Sequence, residues 1–218
     1  MKYTAIILAA GSGKRTGLEE NKILYKIHKK RVVDYSLNFF ENDQDCVEII
    51  LVINAENILQ FSDVKTTKIS QVIFGGDSRQ ESVRNSLKYI QENYVLIHDA
   101  ARPFIPKKGV EELKSLLPEY SSLSLGIKVT DTIQKVHHGY IYETLDRDIL
   151  IATQTPQAFH KDKLIEAHYL ALEQGFEAND DTTLLLELLN IPALFVEGDK
   201  RNIKFTRIDD LSLLEVIL

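Results

Sequence analysis

The stretch Thr4-Ala5-Ile6-Ile7-Leu8-Ala9-Ala10-Gly11-Ser12-Gly13-Lys14-Arg15-Thr16-Gly17 decides the fold. Its first part is a short apolar run rich in β-branched residues, the pattern of a buried strand in a parallel sheet. Its second part is a glycine-rich turn, and in α/β proteins a turn at the carboxyl end of such a strand is where nucleotides bind. Gly11, Gly13 and Gly17 let the backbone approach a ligand and aim N–H groups at phosphate oxygens. Lys14, Arg15 and Lys22 bring cations to the same place. An ordinary tight loop with solvated basic side chains would use the same residues. Two familiar phosphate loops are excluded. Gly17 comes one residue too late for G-x-G-x-x-G, and Gly13-Lys14 is followed by Arg15 where a Walker loop needs Ser or Thr. A dinucleotide fold would also place an acid after its second strand, but here that strand ends Val52-Ile53-Asn54.

Outward from this turn, apolar runs and helical patterns alternate. Strands are expected at 47–53, 69–74, 94–98 and 122–129, and helices at 32–41, 56–61, 80–92 and 108–117. Such alternation implies a mostly parallel sheet with helices on both faces. The alternation breaks at Asp131. Two short runs, 132–136 and 140–144, flank His137-His138-Gly139 and read as a β-hairpin. A hairpin with so little core needs something to pack on. Further on, a strand at 152–159, helices at 161–173 and 181–189, strands at 193–197 and 202–206 and a last helix from Ile208 are expected, with Asp180 or Asp181 capping the second of these helices.

Composition narrows the function. A chain of 218 residues is most economically one domain, spanning 1–218. A net charge of −6 argues against a nucleic-acid partner, which wants a basic face. The lone Cys46 forms no internal disulfide, and no Cys/His spacing suggests zinc. No leader pattern or membrane-length apolar run is present, so a cytoplasmic protein without a membrane partner is the expectation.

The polar clusters that follow strands should share one edge of the sheet. Besides the first loop they are Asp77, Arg79 and Ser82 after Gly75-Gly76, and His98-Asp99-Ala100-Ala101-Arg102-Pro103. Asp99 is the best magnesium candidate, since a strand-end carboxylate near a triphosphate commonly supplies one oxygen of such a site; it could instead cap the turn. Arg102 could face the site or hold the turn through backbone carbonyls. Asp77 and Ser82 could read a nucleoside or cap the helix.

Together, Ala9-Ala10-Gly11…Lys14-Arg15 with Lys22, Gly75-Gly76-Asp77…Arg79…Ser82-Val83, His98 to Pro103, Asp131-Thr132, Asp146-Arg147, Gln154-Thr155-Pro156-Gln157…Phe159 and Asn202-Ile203-Lys204 resemble the 2-C-methyl-D-erythritol 4-phosphate cytidylyltransferase family. The resemblance implies a three-layer, Rossmann-like nucleotidyltransferase fold with a projecting hairpin arm. It also implies transfer of a cytidylyl group from CTP to methylerythritol phosphate, with magnesium and release of pyrophosphate. By the same resemblance Arg15, Lys22 and Lys204 are the catalytic cations. Ala9, Ala10, Gly11, Ser12 and Gly13 would meet the nucleotide, as would Gly76, Asp77, Ser82 and Ala100. Asp99 and Arg102 would lie by the second substrate, Asp99 also by the metal. Residues 131–156 would be the dimerisation arm of a homodimer, with Thr132, Arg147 and Thr155 serving the alditol phosphate of the neighbouring site. The chain departs from the family in three places: Thr16 stands for the usual Met, Asn21 for Pro, and Thr182-Thr183 for smaller residues. None removes a charge the reaction needs. The rival readings are a ribitol 5-phosphate cytidylyltransferase and a non-catalytic nucleotide-binding protein.

Overall fold

A computed structural model describes residues 1–11 and 21–218 of the chain. The expectations for Ser12, Gly13, Lys14 and Arg15 lie outside the described residues. The main sheet is built from β1 (Tyr3–Ala9), β4 (Cys46–Ile53), β5 (Ile69–Phe74), β6 (Tyr94–Asp99), β7 (Ser122–Lys128), β10 (Ile151–His160) and β11 (Leu194–Glu197), in the order β11-β7-β10-β6-β1-β4-β5. β1 pairs in parallel with both β4 and β6, while β10 runs antiparallel to both β6 and β7. The chain therefore moves outward from β1 to β5 and returns to the other side of β1, which makes a topological switch point beside β1.

The apolar run of β1 explains its central place. Tyr3, Ala5, Ile7 and Ala9 pack on one face with α1 (Val32–Asn42) and α3 (Lys107–Leu116). Ile6 packs on the other with α2 (Arg79–Leu87), α4 (Lys161–Gln174) and α5 (Asp181–Leu189). A strand buried on both faces carries no alternation of polarity, which is the pattern of a central parallel strand. The result is the three-layer α/β/α arrangement expected. A small antiparallel pair, β2 (Lys26–Ile27) with β3 (Lys30–Arg31), was not foreseen. Its turn places His28 and Lys29 at positive φ, and it packs with Phe205 and with α6 (Asp210–Ile217) through a separate small cluster.

The hairpin is present as β8 (Gln134–His137) and β9 (Tyr140–Thr144), a two-stranded sheet apart from the main one. His138 and Gly139 both take positive φ, at 49° and 83°, as a two-residue type I′ hairpin turn requires. Every residue of both strands is exposed. The hairpin lies in the connection between β7 and β10. Lys128 at the end of β7 and Ile151 at the start of β10 are paired neighbours, so residues 151–156 of the expected arm already belong to the main sheet.

One expected strand does not form. Residues 202–206 form no regular element and join no sheet. Their backbone is held by side chains and by loop contacts: Arg102 and Gln154 donate to the Asn202 carbonyl, Asn202 N–H donates to the Asp199 carbonyl, and Phe205 N–H donates to the Ala101 carbonyl. The β-branched and aromatic composition of the segment reflects burial of Phe205, not ladder pairing. The segment instead threads across the end of the sheet and carries Lys204 with it.

Candidate functional site

The carboxyl ends of β1, β4, β5 and β6 open onto a cleft of about 560 Å³, lined among others by Gly11, Lys22, Asn54, Asp77, Asp99 and Lys204. The first loop and the Gly75-Gly76 turn meet closely there. A Cβ on Gly75 would lie 2.4 Å from Ala10 Cβ and 2.7 Å from Ser82 Oγ, so no larger residue fits without moving one of the two loops.

Asp99 is the hub. It ends β6 and is buried, with Lys204 Nζ donating to Oδ2 at 2.7 Å and Arg79 Nε donating to Oδ1 at 3.3 Å. Burial alone would raise its pKa, but Arg79, Lys204 and Arg102 outweigh that and hold it well below the usual carboxylate range. Arg79 opens α2 and reaches on to Asp181 at the start of α5, where Nη1 donates to Oδ2 at 2.6 Å. His168 of α4 completes the line, its Nε2 lying 2.9 Å from Asp181 Oδ1. Burial disfavours the Arg79 charge, yet Asp181 and Asp99 together raise its pKa. Asp181 follows the same logic with opposite sign: burial raises its pKa, and Arg79 with His168 brings it down.

Beneath Asp99 lies a second network. The Asp99 N–H donates to Thr155 Oγ1 at 3.1 Å, and the same hydroxyl lies 3.1 Å from His98 Nδ1. His98 Nε2 meets the Arg102 carbonyl at 3.0 Å. Neutral imidazole with its proton on Nε2 satisfies all three contacts: Thr155 donates to Nδ1 while accepting from Asp99. Burial pushes the His98 pKa down to about 4. A histidine kept neutral in the fold is protonated more readily in the unfolded chain below its ordinary pKa of about 6.5. Stability should therefore fall as pH drops from about 6.5 to about 4 and level off below that, by roughly 3 kcal/mol for this group. Urea midpoints measured across that range should show the slope in the wild type and a reduced one in His98→Gln. An equal slope in both would refute the assignment.

The expected site residues divide. Lys22, Gly11, Ala10, Gly76, Asp77, Ser82, Asp99 and Lys204 line the cleft. Ala9 and Ala100 are buried in the core, and of the Ala100-Ala101 pair it is Ala101 that lines the cleft. Ser82 Oγ accepts from Gly76 N–H and donates to the Ser78 carbonyl, so it fixes the glycine turn; the α2 cap itself is Ser78. Arg102 donates to the carbonyls of Asn202 and Thr153, tying the Lys204 segment and β10 to the end of β6. Thr155 is buried on its own chain's Asp99, apart from exposed Thr132 and Arg147. Arg147 sits in a helical turn (Arg147–Ile149) capped by Asp146 and donates to the Thr130 carbonyl. Arg79 stood among the polar clusters of the sequence, but its partner Asp181 lies 102 residues away and His168 lies inside an apolar helix pattern. Only folding brings the three together.

The comparisons with known proteins agree with one another. The family model for 2-C-methyl-D-erythritol 4-phosphate cytidylyltransferase matches residues 3–218. The chain belongs to this family. A 2-C-methyl-D-erythritol 4-phosphate cytidylyltransferase from Geobacillus kaustophilus is 38% identical over 223 residues, covering 100% of this chain and 97% of that protein. One from Bacillus cytotoxicus is 39% identical over 221 residues, covering 99% and 97%. Among solved structures, the cytidylyltransferase of Francisella tularensis superposes with a TM-score of 0.85 at 27% identity and full coverage of both chains. The 4-diphosphocytidyl-2C-methyl-D-erythritol synthase of Anaerococcus prevotii gives 0.86 at 27% identity, over 99% of this chain and 95% of that one. The similarity thus runs over essentially the whole length of the chain.

Among the described residues, no group of three or more His, Cys, Asp and Glu side chains is placed to hold a metal alone. No helix among them is long and apolar enough to cross a membrane.

Proposed function

We propose that the chain transfers a cytidylyl group from CTP to 2-C-methyl-D-erythritol 4-phosphate, releasing pyrophosphate. The observation that carries this reading, beside family membership, is the cleft at the switch point of the sheet. There Lys22, Arg79 and Lys204 line one cleft with Asp99, among small and short polar residues such as Ala10, Gly11, Gly76, Ser78 and Ala101. A phosphate oxygen of the second substrate attacks the α-phosphorus of CTP in line. The bond between that phosphorus and the bridging oxygen breaks, and its electron pair leaves with pyrophosphate. No covalent enzyme intermediate is needed, so positioning and neutralisation of charge carry the rate. Lys22 and Lys204 are the described cations for this work, and the resemblance adds Arg15. Asp77 is exposed at the cleft wall and suits a ribose or base edge, with Ser82 holding the turn beside it.

Magnesium fits Asp99 as a ligand through one oxygen. Among the described residues, Oδ1 accepts a hydrogen bond from Arg79 and Oδ2 one from Lys204, and a carboxylate oxygen has a second lone pair. Among the described residues no group of three or more His, Cys, Asp or Glu side chains could hold a metal, so the remaining ligands would be triphosphate oxygens and water, as is common for this ion. When bound it would neutralise part of the triphosphate charge.

The arm supports a homodimer. Val136, Tyr140, Ile141 and Tyr142 of the hairpin and Ile149 beyond it are all 60% or more exposed, an apolar group that a monomer leaves in water at a cost of about 25 cal/mol per Å². Its place between β7 and β10 lets it carry Thr132 and Arg147 to the second-substrate end of a partner's cleft. Drawing on CTP, the enzyme would work in the cytoplasm. The test is pyrophosphate release from the purified protein with CTP and magnesium, with methylerythritol phosphate in one reaction and ribitol 5-phosphate in another. Release with the first alone is expected. Release with ribitol phosphate alone would move the protein to the sister activity, and silence in both from folded protein would leave only nucleotide binding.

A further inference from the structure

We propose that Asp181 is a positioning residue for the transfer: by holding one arm of Arg79, it keeps Asp99 paired with Lys204. The inference rests on the proposed reading of the cleft, in which Lys204 faces the triphosphate. Two carboxylates, Asp99 and Asp181, share one guanidinium, and the sharing is unequal. Asp181 takes the short contact through Nη1 at 2.6 Å, while Asp99 receives only Nε at 3.3 Å. An arginine left to itself beside one buried carboxylate grips it with two parallel hydrogen bonds. Here the second carboxylate prevents that, so Asp99 keeps an oxygen for Lys204 at 2.7 Å.

The geometry of Asp181 makes the arrangement firm. Its side chain is only 1% exposed and is held from the far side by His168 Nε2, also 1% exposed. Helices α4 and α5 thus fix Asp181 from behind. Arg79 Nη2 is buried and has no hydrogen-bond partner among the described residues. That orphan donor marks the second arm of the fork, which would engage Asp99 if Asp181 let go. Asp181 touches no substrate in this reading; it acts through Arg79 and Asp99 on the ammonium of Lys204.

The test is a double-mutant cycle on kcat/KM, with thermal midpoints recorded for each protein. Asp181→Asn keeps the size but removes the charge, and is expected to lower kcat/KM by roughly 10–100-fold, the scale of a small misplacement at a reacting centre. Combined with Lys204→Ala, it should add almost nothing, leaving the double variant within about threefold of Lys204→Ala alone, because residues acting through one another are not additive. A purely structural role would instead multiply the two losses. Should Asp181→Asn fail to fold, His168→Gln takes its place, with a smaller loss and the same lack of additivity. Wild-type kcat/KM in the position-181 variant, or losses that multiply, would overturn the inference alone. Full activity in Lys204→Ala would overturn the reading of the cleft and the inference with it.

Discussion

Lys204→Ala is expected to lower kcat for pyrophosphate release by roughly 10²–10³-fold, the cost of losing one preorganised donor aimed at developing negative charge. The protein should remain folded. Lys204 is 36% exposed, and its segment is anchored by other contacts: Asn202 Nδ2 donates to the Thr155 carbonyl, Arg102 grips the Asn202 carbonyl, and Phe205 is fully buried. Asp99, losing Lys204, retains Arg79. The loss should therefore appear in kcat, with the melting midpoint within a few degrees of the wild type. Steady-state kinetics with both substrates varied separates the possibilities. A rise in the KM for CTP with kcat unchanged would make Lys204 a ground-state binding group and sink its transition-state role.

The arm predicts a result that no single variant can give. Arg147→Ala and Lys22→Ala should each abolish most activity as homodimers. A dimer made of one subunit of each kind has two clefts. If the arm serves the partner's cleft, both lesions fall on one of them and the other is whole. Mixed and exchanged subunits should then regain on the order of half the wild-type rate per heterodimer, a consequence of two-fold symmetry alone. Subunit exchange is verified by mass spectrometry. No recovery after verified exchange would confine Arg147 to its own chain, where its present contact is the Thr130 carbonyl.

What could be read from the sequence follows from how local each signal is. β5 and α5 were legible to the residue, because Gly75-Gly76 ends one and Asp180, accepting from Thr183 N–H, starts the other. The end of α2 was read too late. Helical spacing ran on to residue 92, whereas the helix stops at Leu87 and Tyr89 and Ile90 bond back by tight turns that bury Ile90. The direction of β10 was not legible, since strand–helix alternation does not reveal that one strand enters the sheet from the opposite end. In the site, Asp99 and Lys204 could be named because each sits in a motif. Their contact, across 105 residues, and the buried pairing of Arg79 with Asp181 exist only in three dimensions.

The hairpin begins and ends on one rung of the sheet, where Lys128 faces Ile151. In topological terms it is a long loop between two adjacent strands, and the sheet does not register its length. Selection can therefore lengthen, shorten or rewrite these residues without altering the cleft that activates CTP. One catalytic chassis can in this way be refitted for alditol phosphates of different shape by exchanging a cassette of about twenty residues, since surface connections tolerate such change far better than the elements they join.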